Sequence, residues 1–243
     1  MKKTFSALRG FTLMETLLAV ALVGVMLSIF LTVFVPARGL VRRALTRQEA
    51  ERITSVLRAE INTLRPDEIG NKSSANKYRT PFEKGFYWLK KTARPGNSIV
   101  IFSYRADLSK APRPDGTYPA VPANKAVPGK NMQLVTLACP LDDPIHRNDI
   151  RDAVGPVFLV KMSQLTKKEN GRYEAVLTPG HVKEAAGPAE YVSAPGDAEA
   201  WGGVLFCRAD FYLMSSPNPD RYKGKKWEKL GSPIFSANLS FRR

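Results

Sequence analysis

Hydrophobic and polar positions fall into two successive patterns along the chain. Residues 16–37 are 22 positions with no formal charge, and as a helix they would extend roughly 33 Å at ~1.5 Å per residue, matching the hydrocarbon thickness of a bilayer. That length argues against a conventional secretory signal, whose apolar core is shorter and ends in a small-residue cleavage site. Beyond it, Leu40, Val41, Ala44, Leu45, Ile53, Val56, Leu57, Ile61 and Leu64 recur at spacings of three, four and seven, with arginines and glutamates between them. This is the period of an amphipathic helix. The helix is predicted to run to Arg65, because Pro66 lacks an amide hydrogen and disfavours a helical conformation in the residue before it. Gly24, Pro36 and Gly39 are weak points within it, where bending is expected.

After Pro66 the period becomes strand-like. Residues 85–90, 98–105, 132–139, 156–162, 172–178, 203–214 and 234–241, rich in Val, Ile, Phe and Tyr, are the candidate strands. Residues 111–130 hold five prolines and read as an extended loop, and residues 218–229, with four lysines or arginines before Trp227, as a long hairpin connection. The expected fold class is therefore α+β: a long N-terminal helix, first membrane-spanning and then amphipathic, packed on a mainly antiparallel sheet. Residues 1–10 form a basic leader, 11–37 the apolar part of the helix, 38–65 its amphipathic part and 66–243 a β-rich domain.

Charge sets the topology. Lys2, Lys3 and Arg9 precede the span, while Arg38, Arg42 and Arg43 follow it. The leader has no acidic residue and almost no chain to translocate, so the extreme N-terminus is expected in the cytoplasm and the domain on the far side. The formal charge is +15, and from residue 38 onward 34 basic residues stand against 21 acidic ones. Such a field attracts anionic lipid, polysaccharide or nucleic acid. No compact basic run interleaved with aromatics occurs, so nucleic-acid binding is not needed to explain the charge. Cys139 and Cys207 both fall in the exported part. An oxidising compartment would permit a disulfide between them, and two separately buried thiols are the other reading.

The run Gly10-Phe11-Thr12-Leu13-Met14-Glu15, followed at once by Thr16-Leu17-Leu18-Ala19-Val20, resembles the class III signal of type IV pilins and type II secretion pseudopilins. A basic leader, a glycine, an aromatic residue and one carboxylate five places into an apolar span are jointly rare, and the resemblance covers about the first 55 residues. Glycine before the cut gives a peptidase unhindered access to extended backbone. The resemblance implies cleavage between Gly10 and Phe11 by a prepilin peptidase and N-methylation of Phe11. It also implies a register role for Glu15 against a neighbour's Phe11 amino group. A carboxylate in a membrane span costs ~2.5 kcal/mol or more, and an unpaired one at a misregistered neighbour roughly 3–5 kcal/mol. Assembly would then be head to tail and open-ended, with other pilin-like subunits, an inner-membrane assembly platform and the lipid bilayer as partners.

The large domain favours a minor subunit. The Glu51-Arg52-Ile53 and Leu57-Arg58-Ala59-Glu60-Ile61 patterns, with Trp227 and the terminal strand, are loosely similar to the J-type minor pseudopilin of type II secretion, and a minor type IV pilin is the other reading. Glu15 argues against the K-type tip subunit, which lacks this carboxylate. The expected location is the bacterial inner membrane, single-pass, with a periplasmic domain. Asp142, Asp143, Asp149 and Asp152 could offer oxygens to calcium, as in some pseudopilins, but lack the alternating ligand pattern and read as a solvated acidic loop. His146 and His181 are isolated, without zinc spacing, so no metal or cofactor is expected. No nucleophile elbow, phosphate loop or carboxylate pair indicates an enzyme. A membrane-anchored binding module for polysaccharide, DNA or cargo, using Trp201, Tyr212, Tyr222 or Trp227, is the competing function.

Overall fold

The computed structural model describes residues 12–70, 77–125, 132–168, 170–176, 180, 182–186, 190–193 and 204–242. It forms two compact units, Met1–Glu51 and Arg52–Arg243. The first is helical throughout its described length from Leu13. Helix α1 runs Leu13–Asn62, so Gly24, Pro36 and Gly39 all lie inside the helical span and the proline does not end it. The helix stops three residues short of Arg65. Lys84 Nζ takes the Thr63 carbonyl (2.8 Å) and the Arg65 amide donates to Glu68 (3.0 Å), so these backbone groups have partners outside the helix.

The second unit is an antiparallel sheet with the end of α1 and a further helix on one face and a short helix with the long connection into the last strand on the other, an α+β arrangement. Strands β1 (Ile99–Asp107), β2 (Met132–Pro140), β3 (Phe158–Lys167), β7 (Val204–Leu213) and β8 (Phe235–Arg242) lie in the order β2-β1-β3-β7-β8, and β4 (Tyr173–Ala175) pairs with the end of β3. β5 (Lys183–Ala186) and β6 (Glu190–Ser193) form a separate hairpin. The period-2 alternation of strands assigns two cores. Ile99, Ile101, Val160, Cys207, Phe211 and Phe241 face the end of α1, where Ile53, Leu57 and Ile61 are buried at successive turns. Each such side chain contributes about 1.5–3 kcal/mol on burial. Val100, Phe102, Leu159 and Tyr212 face the opposite way, onto Ile150, Tyr222 and Trp227. With both faces covered, β1 reads as a continuous apolar run.

Residues 85–90, expected as a strand, belong instead to helix α2 (Pro81–Lys91). Phe82, Phe86, Trp88 and Leu89 gave the segment strand-like composition, but local chemistry fixes a helix start. Pro81 occupies the first turn, where its missing amide costs nothing. The Thr80 side chain accepts from the Glu83 amide, while Glu83 reaches back to the Arg79 amide (2.8 Å), a variant of the capping box. Gly85 lets α2 approach closely: a Cβ there would lie 3.0 Å from Ile61 and 3.1 Å from Phe241. A short helix α3 (Arg147–Arg151) in the β2–β3 connection also has no counterpart in the sequence reading. Residues 172–178 contain only the three-residue β4 among their described positions. Residues 218–229 do lie in the β7–β8 connection, as expected.

Candidate functional site

Two regions carry unusual chemistry, and they belong to different units. The first is the start of α1. Gly10 and Phe11 lie outside the described residues, and the register begins at Thr12. The Thr12 amide and hydroxyl both donate to Glu15 Oε2 (2.9 and 3.0 Å), and the Glu15 amide donates to Thr12 Oγ1 (3.3 Å). This is a reciprocal capping box, and it satisfies amides that would otherwise be orphaned at the helix start. Leu13–Phe30 is the one described stretch long and apolar enough to cross a membrane, and every residue of it is exposed. Signal sequences share this property.

The second region is a chain of buried ion pairs that starts at the end of α1. Lys84 on α2 is wholly buried and uses its ammonium three times: on Glu60 (2.9 Å), on Glu68 (2.7 Å) and on the Thr63 carbonyl (2.8 Å). Its charge also lies 4.9 Å from the centre of the Trp88 ring, a favourable cation–π distance. Arg65 grips both oxygens of Glu60 (2.8 and 2.7 Å) and reaches Asp115 (3.3 Å). Asp115 meets His146 Nε2 (2.8 Å), His146 Nδ1 meets Asp149 (3.1 Å), and Asp149 is clasped by Arg113 and by the Ala120 amide.

The two carboxylates that share Lys84 diverge in acidity. Burial raises both, but for Glu60 the bidentate Arg65 and the nearby Lys84 outweigh burial and its pKa falls below the ordinary value. Glu68 lacks the guanidinium, so burial prevails and its pKa rises. Beside these groups is a cavity of about 170 Å³ lined by Glu60, Arg65, Asp67, Glu68, Asp115 and His146, among others. Asp67 Oδ1 is buried there without a protein hydrogen-bond partner.

His146 and Asp149 thus correct the sequence expectation. His146 is not isolated: it is buried between two carboxylates. Asp149 is not in a solvated acidic loop, and Asp143 is sufficiently buried for its pKa to rise. Asp142, by contrast, stays on the surface, paired with Lys91 (3.0 Å). Among the described residues no group of three His, Cys, Asp or Glu side chains is placed to hold a metal ion. His181 lies outside the described residues.

Chemically, the arrangement ties separate segments of the chain together through charge-assisted hydrogen bonds. Both nitrogens of His146 are committed to carboxylates, and burial pushes the Cys139 thiol well above its ordinary pKa, away from the reactive thiolate. Cys139 and Cys207 are unbonded, which corrects the disulfide alternative. They sit in the two different cores, on β2 and β7. Three strand steps of about 4.8 Å separate them laterally by roughly 14 Å, and Cys139 is level with Tyr212 rather than with Cys207, so they lie far beyond the ~7 Å limit between bridgeable Cα atoms. Tyr212, Tyr222 and Trp227 are core residues, and Trp201 lies outside the described residues.

Burial by itself would lower the pKa of His146, but the hydrogen bonds to Asp115 and Asp149 outweigh it and raise the value above 6.5. The imidazolium therefore stabilises the fold fully below pH 6.5, and that contribution is lost as pH rises through the elevated folded value. Asp115 and Asp149 are shifted down, despite burial, by hydrogen bonds that include those from His146, so their contribution is present above pH 3.8 and lost on acidification. A His146→Gln variant is expected to lose most stability relative to the parent between about pH 4 and 6.5, with the gap narrowing above that window in denaturant titrations followed by tryptophan fluorescence. A gap that stays constant from pH 5 to pH 9 would refute the protonated clamp.

Sequence reasoning missed this network because its pairs are far apart in the chain: Lys84 and Glu60 are 24 residues apart, Arg113 and Asp149 are 36. The capping box at Thr12 has the Thr-x-x-Glu spacing in sequence, but Glu15 stands out there only for its place in the apolar span. Comparison with protein-family models, curated proteins and solved structures gives no match in any of the three.

Proposed function

We propose that this chain is a minor subunit of a pseudopilus or pilus, cleaved after Gly10 by a prepilin peptidase, methylated on Phe11 and assembled from the bacterial inner membrane with its domain in the periplasm. The observation that carries the reading is the double character of α1. It begins as 18 residues of exposed apolar surface, Leu13–Phe30, and at Ile53, Leu57 and Ile61 it is the core of the sheet unit. A helix that is apolar all round has no place in water and needs lipid or packed helices around it. The Gly10-Phe11 and Glu15 pattern supports packed helices as the second of two environments.

The anchored binding module is the weaker reading, since Tyr212, Tyr222 and Trp227 are buried in the core and cannot present a binding face. A structural, non-enzymatic role agrees with the committed state of His146 and the raised thiol of Cys139. The test is mass spectrometry of the protein extracted from membranes of a host that has a prepilin peptidase. The expected N-terminus is Phe11 carrying one methyl group. An intact leader, or any other start, would remove the basis of the proposal.

A further inference from the structure

The connection between β7 and β8 spans residues 214–234, well beyond the ~12–15 residues at which loops become uncommon and usually functional. It is not loose. Two 3-10 turns, Pro219–Tyr222 and Trp227–Leu230, each fix a large aromatic in the core. Trp227 Nε1 donates to the Thr92 carbonyl (2.9 Å), and the Tyr222 hydroxyl accepts from the Ser216 amide (3.2 Å). The connection also packs tightly on the turn Pro95–Asn97, where a Cβ on Gly96 would lie 2.9 Å from the Tyr222 carbonyl oxygen.

Around these anchors the side chains that face solvent are mostly cations. Arg221, Lys223, Lys226 and Lys229 are exposed, and Lys225 lies 5.1 Å from the centre of the Tyr222 ring. Arg147 and Arg151 of α3 join the same surface through Asp220. Seven cations thus stand against three carboxylates, Asp220 and Glu228 on the surface and Asp149 buried against Arg113, so this small region holds four of the chain's fifteen excess positive charges. Asp220 shows how the surface treats a carboxylate: Arg147, Arg151 (3.2 Å) and Lys223 (2.9 Å) all reach it. Those three cations exceed the single charge they surround, so the surface is overcharged at the point where its donors converge.

We propose that the β7–β8 connection and α3 form a docking surface for an acidic polypeptide segment of a partner protein, whose carboxylates engage the guanidinium and ammonium groups arrayed around Asp220. A rigid cationic platform raises encounter rate and selects partners by charge. Nucleic acid fits less well, because Tyr222 and Trp227 are turned into the core and offer bases no stacking face. The inference does not depend on how the N-terminus is processed.

The test uses the full-length chain in neutral detergent and a fluorescent hexaglutamate peptide, read by anisotropy. Saturable binding is expected at low salt, with loss at about 1 M, where screening lengths fall to ~3 Å. The combined variant Arg221→Glu, Lys223→Glu, Lys226→Glu should weaken it about tenfold or more. Matched reversals at Lys167, Lys168 and Arg172, exposed cations of the β3–β4 hairpin, should leave it unchanged. If the reversed loop disturbs folding by near-ultraviolet circular dichroism, glutamines at the same three positions give the neutral comparison, and the same direction is expected. Equal weakening by both sets would mean diffuse charge and overturn the site. Absence of saturable binding would overturn it as well, and binding of inorganic polyphosphate without hexaglutamate would overturn the polypeptide assignment.

Discussion

Replacing Lys84 by methionine is expected to lower the stability of the sheet unit by about 3–5 kcal/mol, the cost of breaking a buried ion pair from one side. Methionine keeps most of the aliphatic volume against Trp88, so lost packing contributes little. What is lost is the one side-chain cation on Glu68 among the described residues, together with one of two on Glu60, whose bidentate contact with Arg65 persists. The variant therefore strands one carboxylate more than the other. A second substitution, Glu68→Gln, should recover more than half of the loss, since burial already pushes the Glu68 carboxyl toward its neutral form. The penalty should also shrink as pH falls toward 4.5, the ordinary value for this carboxyl, because protonated Glu68 no longer needs a counterion. Denaturant titration of the single and double variants measures this. A double variant as unstable as the single one would show that the cost lies in packing and not in the stranded charge.

The same network explains which parts of the fold could be read from sequence. β1, β2, β3, β7 and β8 were legible because their side chains are buried on alternating faces, and the Val, Ile and Phe that satisfy this burial sit next to one another in the chain. The end of α1 was legible for the same local reason, at Ile53, Leu57 and Ile61. α2 was not, since Phe82, Phe86 and Trp88 have strand-like composition and only the Thr80-Pro81-Phe82-Glu83 start reveals a helix. There capping, not composition, decides the structure. The buried charges were opaque for a different reason. Lys84, Glu68, Asp115 and Asp149 each look like ordinary surface residues until a partner from another segment replaces water, and hydrogen-bonded pairing is what makes their burial tolerable. Tyr222 and Trp227, which a binding module would turn toward a ligand, instead pin a loop whose cations remain outside.

Glu15 calls for the sharpest experiment, because two physical roles now converge on it. In the capping role its carboxylate accepts from the Thr12 amide and hydroxyl within its own helix. In the proposed assembly role its charge would neutralise the Phe11 amino group of a neighbour that has reached the correct axial position. Glutamine separates them. It serves nearly as well in a capping box, since its side-chain oxygen still accepts from Thr12, but it carries no charge. Thr12→Val does the reverse, removing the hydroxyl partner and leaving the carboxylate. Glu15→Gln is therefore expected to insert into the membrane normally and be processed to Phe11, yet to be depleted at least tenfold from sheared filaments. That factor corresponds to ~1.4 kcal/mol, a threshold well below the roughly 3–5 kcal/mol expected for an unpaired buried charge. Thr12→Val should cost about 1 kcal/mol of local helix stability and assemble close to normally. Normal assembly of Glu15→Gln with failure of Thr12→Val would assign the residue to its own helix and remove the register argument. Cleavage would then matter only for releasing the leader, whereas on the register reading it creates the positive charge without which an apolar helix carrying one carboxylate has no reason to choose among axial positions.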